Sequence, residues 1–426
     1  MPRILRGVCL VAVFLAATAS GSKAQKALTW EEVRQRFETN NPTLRAGQVG
    51  VDESKAQETT AFLRPNPQFN IGVDQIGNTT QGSAFSAATL STSLNYLHER
   101  RHKRELRLES AQKATTIAVS SQSDLERNLL FTLRGAFVGT LQAKEVVRET
   151  KENLDYWDKV LKISRDRYEV GAIAQMDLDR LELQRVQFES DLQTAEVNLR
   201  TSKIQLLMLL NDKTPVDQFD VLGLYEFTDL LKPLDEFRQI AMDNRPDLKA
   251  AVQSVDKAKT DHRLAVSNGS TDPTISVDAG FPTISQAYLS YQPPLKEYVG
   301  AGFSIPLRIF DRNQGEKLRT ELDIERNQKL LDATQAQVFS DVDSAYVTAN
   351  SNLILLRPYK SKYLEQATRV RDTMKFSYEH GAASLLDLLS AENDYRSVQL
   401  NYINLVGAYL MAASQLNLAV GREVIQ

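Results

Sequence analysis

The sequence predicts a mainly α-helical chain with a small β part, built as two copies of one unit in which a helix, a strand pair and a long helical hairpin follow one another. Three observations carry this. Leu388, Ala391, Tyr395, Val398, Tyr402, Leu405, Tyr409, Ala412 and Leu416 recur at alternating spacings of 3 and 4, a heptad stripe that packs as a coiled-coil seam. Moved back by 210 residues, the stripe reads Leu178, Leu181, Arg185, Phe188, Leu192, Ala195, Leu199, Ser202 and Leu206, so its register is copied. A matching turn precedes each seam: Tyr168-Glu169-Val170-Gly171-Ala172 before Asp177, and Tyr378-Glu379-His380-Gly381-Ala382 before Asp387.

Taken in order, residues 1–24 read as a secretory signal peptide. Arg3 and Arg6 form a positive start, 8–17 an apolar stretch, and Ser22-Lys23-Ala24 a small-residue cleavage pattern. The single cysteine, Cys9, falls inside that stretch, which excludes disulfides, cysteine metal sites and thiol catalysis from the mature chain. Removing 1–24 takes away Arg3, Arg6 and Lys23 and no acid, turning 51 basic and 54 acidic residues into 48 and 54, net −6. A mildly acidic exported chain is a poor nucleic-acid binder. No run of 18 apolar residues follows the N-terminus, so no transmembrane helix is expected and any membrane span must be β.

The first repeat is assigned to 25–211. It opens with one helix over 28–63, capped by Thr29 with Glu32 three residues on. Its Asn41-Pro42-Thr43-Leu44 returns as Arg245-Pro246-Asp247-Leu248 at an offset of 204, so the duplication reaches beyond the hairpins. The hydrophobic period then falls to 2, predicting strands at about 66–76 and 87–97, with counterparts at about 273–281 and 298–308. Strands of about 10 residues cross a bilayer when tilted. The plainer alternative is two half-buried hairpins in a soluble domain. Four strands cannot close a barrel, and open edges are not tolerated in lipid, so a membrane reading requires several chains to share one barrel.

From His98 to about Arg165 the chain reads as one long helix, on the order of 100 Å at ~1.5 Å per residue. Its tip falls at about 168–178. A linker, 212–234, carries Pro215, Gly223 and Pro233, with a short strand expected beside the rods. The second repeat, 235–426, has its tip at about 378–388, and Pro358 should kink its descending helix.

His98-Glu99-Arg100-Arg101-His102 is a literal H-E-x-x-H, the zinc-peptidase pattern. It is embedded in Arg100, Arg101, Lys103, Arg104 and Arg107, with no third ligand evident, and the positional reading is a basic cluster at a strand end that meets lipid phosphates. Tyr395, Tyr402 and Tyr409 read as seam packing rather than a stacking platform. No catalytic, cofactor or metal residues are assigned.

The tip pattern Tyr-x-x-Gly-x5-Asp-[LV], the repeated order of elements and the signal peptide together resemble the TolC family of outer-membrane efflux channels. The Asn41-Pro42-x-Leu44-x-Ala46 opening and Ile305-Pro306-Leu307 before Asp311 resemble the branch serving cation-efflux systems. The resemblance covers about 28–421. It implies a homotrimer with a 12-stranded outer-membrane β-barrel, continued by a periplasmic 12-helix coiled-coil barrel. The tube would meet a periplasmic adaptor (membrane-fusion) protein that serves an inner-membrane pump of the resistance-nodulation-division type. It also implies a conduit with no cofactor, not an enzyme. Asp387 and Asp177 take the position of an aspartate ring that constricts the periplasmic mouth, with helix N-capping as their other reading. Tyr168, Gly171, Tyr378 and Gly381 match the tip turn and adaptor-docking positions. The chain departs from the pattern at Ala383 and Ser390, where some members hold the closed state through an arginine and a second aspartate; Arg180 is the available substitute. The alternative function is a periplasmic coiled-coil scaffold without a pore.

Overall fold

The computed structural model describes residues 27–74, 89–228, 231–282 and 297–425; the signal-peptide assignment lies outside them. The first repeat runs α1 (Trp30–Asn40), α2 (Pro42–Phe62), β1 (Gln68–Asp74), β2 (Thr89–Leu97), α3 (Lys103–Glu169) and α4 (Gln175–Leu209). The second runs α5 (Leu234–Asn244), α6 (Pro246–Asn268), β3 (Thr274–Pro282), β4 (Tyr298–Ser304), α7 (Gln314–Pro358), α8 (Leu364–Glu379) and α9 (Leu385–Val420). The duplication holds in order, with α7 and α8 together standing where the first repeat has α3.

Two sequence expectations need correction. The helix expected over 28–63 is two helices, because a proline disfavours α geometry in the residue before it. Asn41 leaves the helix at φ −66°, ψ 120°, and its side chain then accepts the Leu44 N–H to cap α2. The Thr29–Glu32 capping box is present as read. β1 and β4 are also shorter than expected: 66–67 and 305–308 lie outside the ladder, as prolines at 65, 67 and 306 cannot donate to it, while the expected strand ends at 75–76 and 87–88 lie outside the described residues. The Pro358 kink takes the form of a π turn over Tyr359–Tyr363, after which α8 continues.

The four strands form one antiparallel sheet in the order β1-β2-β3-β4. Register places the apolar residues on a common face: Phe69, Leu94, Val277 and Ala301 lie in one row, and Val73, Leu90 and Phe281 in another. These side chains are exposed, Phe69 at 65% and Val299 at 81%. The other face is mostly polar or small, as in the row Asn70, Ser93, Asp278 and Gly300, with Leu97 and Tyr298 as its larger members. No described element packs on the apolar face. That is the reverse of a half-buried soluble hairpin.

The helices stand side by side. Near the sheet the neighbours run α2, α3, α6, α7; toward the tips they run α4, α3, α9, then α7 and α8. Four helices therefore make up this wall at either level, with α3 and α7 extending through both. The seams pack as read: Leu388, Tyr395, Tyr409 and Leu416 on α9 are buried, and so are Leu181, Phe188 and Leu206 on α4. α9 is long and apolar enough to cross a membrane by composition, but its apolar residues are used against α3, α7 and α8. The linker forms a single parallel bridge, Leu28 to Val221, instead of a strand, and is strapped to the rods by Lys144 on the Val221 carbonyl (2.7 Å) and the Tyr409 hydroxyl on the Thr228 carbonyl (2.7 Å).

Candidate functional site: the hairpin tips

Each hairpin reverses in the same closed turn. After α3, the Gly171 amide donates to the Tyr168 carbonyl (2.9 Å) and the Ala172 amide to the Arg167 carbonyl (2.8 Å). After α8, Gly381 donates to Tyr378 (3.0 Å) and Ala382 to Ser377 (2.7 Å). This paired bonding satisfies the last helix carbonyls and requires a left-handed residue, which the glycines supply at φ +74° and +76°. Both glycines thus take the positive-φ turn position in the backbone.

The tyrosines differ. Tyr378 is buried in a cluster with Trp157, Leu161, Leu178, Leu181, Phe188 and Leu388, whereas Tyr168 is 39% exposed. Trp157 anchors the cluster, its indole N–H donating to the Leu181 carbonyl (3.0 Å) and its ring lying 5.2 Å from Phe188. One apolar body thus joins the ends of both hairpins.

The two aspartates diverge as well. In the second repeat Ser384 is the N-cap of α9, and Asp387 is its capping-box partner. The Asp387 amide donates to the Ser384 hydroxyl (3.2 Å), while the Asp387 carboxylate accepts from the Ser384 amide (3.1 Å) and hydroxyl (2.7 Å). These bonds hold the exposed carboxyl below the usual aspartate range, chiefly through the hydroxyl and then the amide. At the matching position the first repeat has Ala174, which cannot cap, and Asp177 sits in the first turn of α4 without side-chain capping. Neither aspartate is the N-cap itself; both lie three residues inside.

The link between the tips comes from a residue the sequence reading passed over. Arg167, in the last turn of α3, donates to the Tyr378 carbonyl at the end of α8 (2.9 Å) and lies 5.1 Å from the Tyr378 ring centroid. A cation at a helix C-terminus complements the partial negative charge of its free carbonyls. This bond ties the first hairpin to the second where Ala383 offers no charge. Arg180, the substitute named from sequence, makes no contact of this kind among the described residues. Farther up, Arg396 on α9 pairs with Asp191 on α4 and lies 4.5 Å from the Phe188 ring, a second tie between the repeats.

The H-E-x-x-H segment is not helical. Arg101 and His102 take positive φ, His102 precedes α3 as its cap, and Glu99 forms a two-point pair with Arg107, so the histidines do not share a helix face. Lys103 is buried on Asp272 (2.5 Å) and the Ser270 carbonyl (3.0 Å). Lys103 and Arg107 are thus structural, and His98, Arg100, Arg101 and His102 are the exposed members of the cluster.

Comparison with known proteins agrees with this geometry. The model of the family described as outer membrane efflux protein matches residues 237–422. Cobalt-zinc-cadmium resistance protein CzcC of Cupriavidus metallidurans is 21% identical, over 93% of this chain and 90% of its own length. Outer membrane protein TolC of Escherichia coli is 22% identical, over 97% and 85%. Among solved structures, CusC superposes with a TM-score of 0.77 at 17% identity, covering 92% of each chain. The open state of the Neisseria gonorrhoeae MtrE outer membrane channel gives 0.74 at 17%, covering 99% of this chain and 98% of that one. The chain has the fold of these channels, and its second repeat matches the outer membrane efflux protein family model.

Proposed function

We propose that this chain is the outer-membrane channel subunit of a tripartite efflux system, a passive conduit and not an enzyme. The carrying observation is the sheet: four strands with an outward apolar face, a polar opposite face, and outer edges on β1 and β4 that no described strand covers. Lipid does not tolerate such edges. Pairing β4 of one copy with β1 of the next closes a barrel, and three copies supply twelve strands and, at four helices per level, a twelve-helix tube. The exposed apolar residues of the two flanks fit this closure, with Leu183, Val186 and Met208 on α4 and Val347, Ile354 and Leu355 on α7.

The barrel stands in the outer membrane and the tube reaches through the periplasm. Its tips form the mouth, where Tyr168, Gly171, Tyr378 and Gly381 present the turns to a periplasmic adaptor serving an inner-membrane pump of the resistance-nodulation-division type. Three copies each of Asp387 and Asp177 at a narrow bore attract cations and disfavour anions. The hydrogen bonds that hold the Asp387 carboxyl low favour its charged form. Substrate choice rests with the pump.

Detergent extraction from outer membranes tests the reading. A heat-modifiable trimer that conducts in planar bilayers supports it, and a monomer in the soluble periplasmic fraction refutes it in favour of the scaffold.

A further inference from the structure

Above the tips, where α3, α8 and α9 meet, two buried acids have carboxylate oxygens without partners. Glu392 on α9 is 2% exposed, and neither carboxylate oxygen has a hydrogen-bond partner. Glu149 on α3 is 5% exposed, with Oε1 unpartnered, and the Tyr156 hydroxyl nearby is buried and unpartnered too. The surrounding cations are committed elsewhere. Arg371 of α8 pairs with Asp372 (2.9 Å) and stacks between the rings of Tyr395 (3.9 Å) and Tyr156 (5.0 Å); Arg396 of α9 pairs with Asp191. The other charges facing the cluster are Arg148 and Glu152 on α3 and Lys375 and Glu379 on α8.

We infer that Glu392, with Glu149 opposite, is a proton-operated element that sets how tightly the second hairpin holds the first above the mouth. An ionised carboxylate with no donor is costly to bury, so the packed wall selects the protonated acid. The two guanidiniums close by disfavour a metal ion as the neutralising partner. Burial pushes the Glu392 carboxyl up to about 7, with Glu149 adding to the rise, and burial raises Glu149 as well. The sign follows. Packing keeps the proton up to about pH 7, whereas a loosened interface releases it near the usual glutamate value of 4.5. Packing is therefore strongest below that value and is lost as pH rises toward 7, by about tenfold in the packed-to-loosened ratio per pH unit, with a plateau above.

The link to conduction rests on the channel reading; the packing change does not. Hydrogen exchange of the full-length detergent-solubilised protein, corrected for intrinsic rates, reads amides in 145–157 and 388–396 between pH 5 and 8. Protection should fall about tenfold per unit to about pH 7 and then level off. Glu392→Gln should remove most of the fall, leaving the residual one that the raised Glu149 carries, and Glu149→Gln, which removes a like charge, should move the fall to lower pH. An unchanged fall in Glu392→Gln, or none in the wild type, overturns the inference. Should Glu392→Gln not fold, an unmoved midpoint in Glu149→Gln overturns it instead. Bilayer currents from the same preparations should rise over the same range in the wild type and over the lower range in Glu149→Gln, with at most a residual rise in Glu392→Gln. A protein with the exchange response but no current would refute the channel reading alone, and a conducting protein with pH-independent exchange would refute the proton element alone.

Discussion

At the scale of single residues, the tip is governed by backbone geometry and one arginine. Gly381→Ala or Gly171→Ala forces a Cβ into the left-handed region, which costs about 1–2 kcal/mol although nothing lies within 4 Å to clash. Each variant should lower the thermal midpoint of the purified trimer. Arg167→Ala removes a charged donor from the Tyr378 carbonyl; at a half-exposed site this costs about 1 kcal/mol, or roughly a fivefold rise in tip opening. Amide exchange at 376–382 checks it. Asp387→Asn combined with Asp177→Asn should weaken block of the pore by multivalent cations, and unchanged block would remove both residues from the constriction. The sequence displayed the glycines and aspartates through their duplication. It did not display Arg167, since one basic residue in a helix's last turn looks like any other until a second helix end is brought against it.

Among elements, the two repeats share a plan but not their caps. Ser384 caps α9 and Ala174 leaves α4 uncapped, so the first turn of α4 is the weaker. Ser384→Ala should cost about 1 kcal/mol and Ala174→Ser should recover a similar amount, as measured by urea midpoints. Reading Asp387 as a possible N-cap was off by three residues; it is the reciprocal partner of the cap, a distinction that depends on where the chain first enters helical geometry. The break at Asn41-Pro42 was legible from the proline rule, but the apolar period continues across it and hid two helices under one pattern. Glu392 was concealed for a related reason. It sits beside Ala391 of the seam, where a charge normally reads as a solvated flank, and only the third helix, α8, closes over it.

Over the whole molecule, the sheet makes no sense for one chain in water. Val299, fully on the apolar face of edge strand β4, provides the test: Val299→Arg should cost about 2–4 kcal/mol if that face meets the bilayer midplane, and trimer heat-modifiability should be lost at lower temperature. In a soluble scaffold the same change at an exposed position would cost almost nothing.

The sequence by itself determined the duplication, the hairpin seams, the four short alternating strands and the tip turns, because these are periodic or strictly local and a residue's neighbours along the chain decide them. Tertiary structure alone decided which helix ends meet, that Lys103 is internal while Arg101 is not, and that Glu392 has no partner. Those outcomes depend on what distant segments bring to each side chain, and a chain pattern carries the period of a face without naming what will cover it.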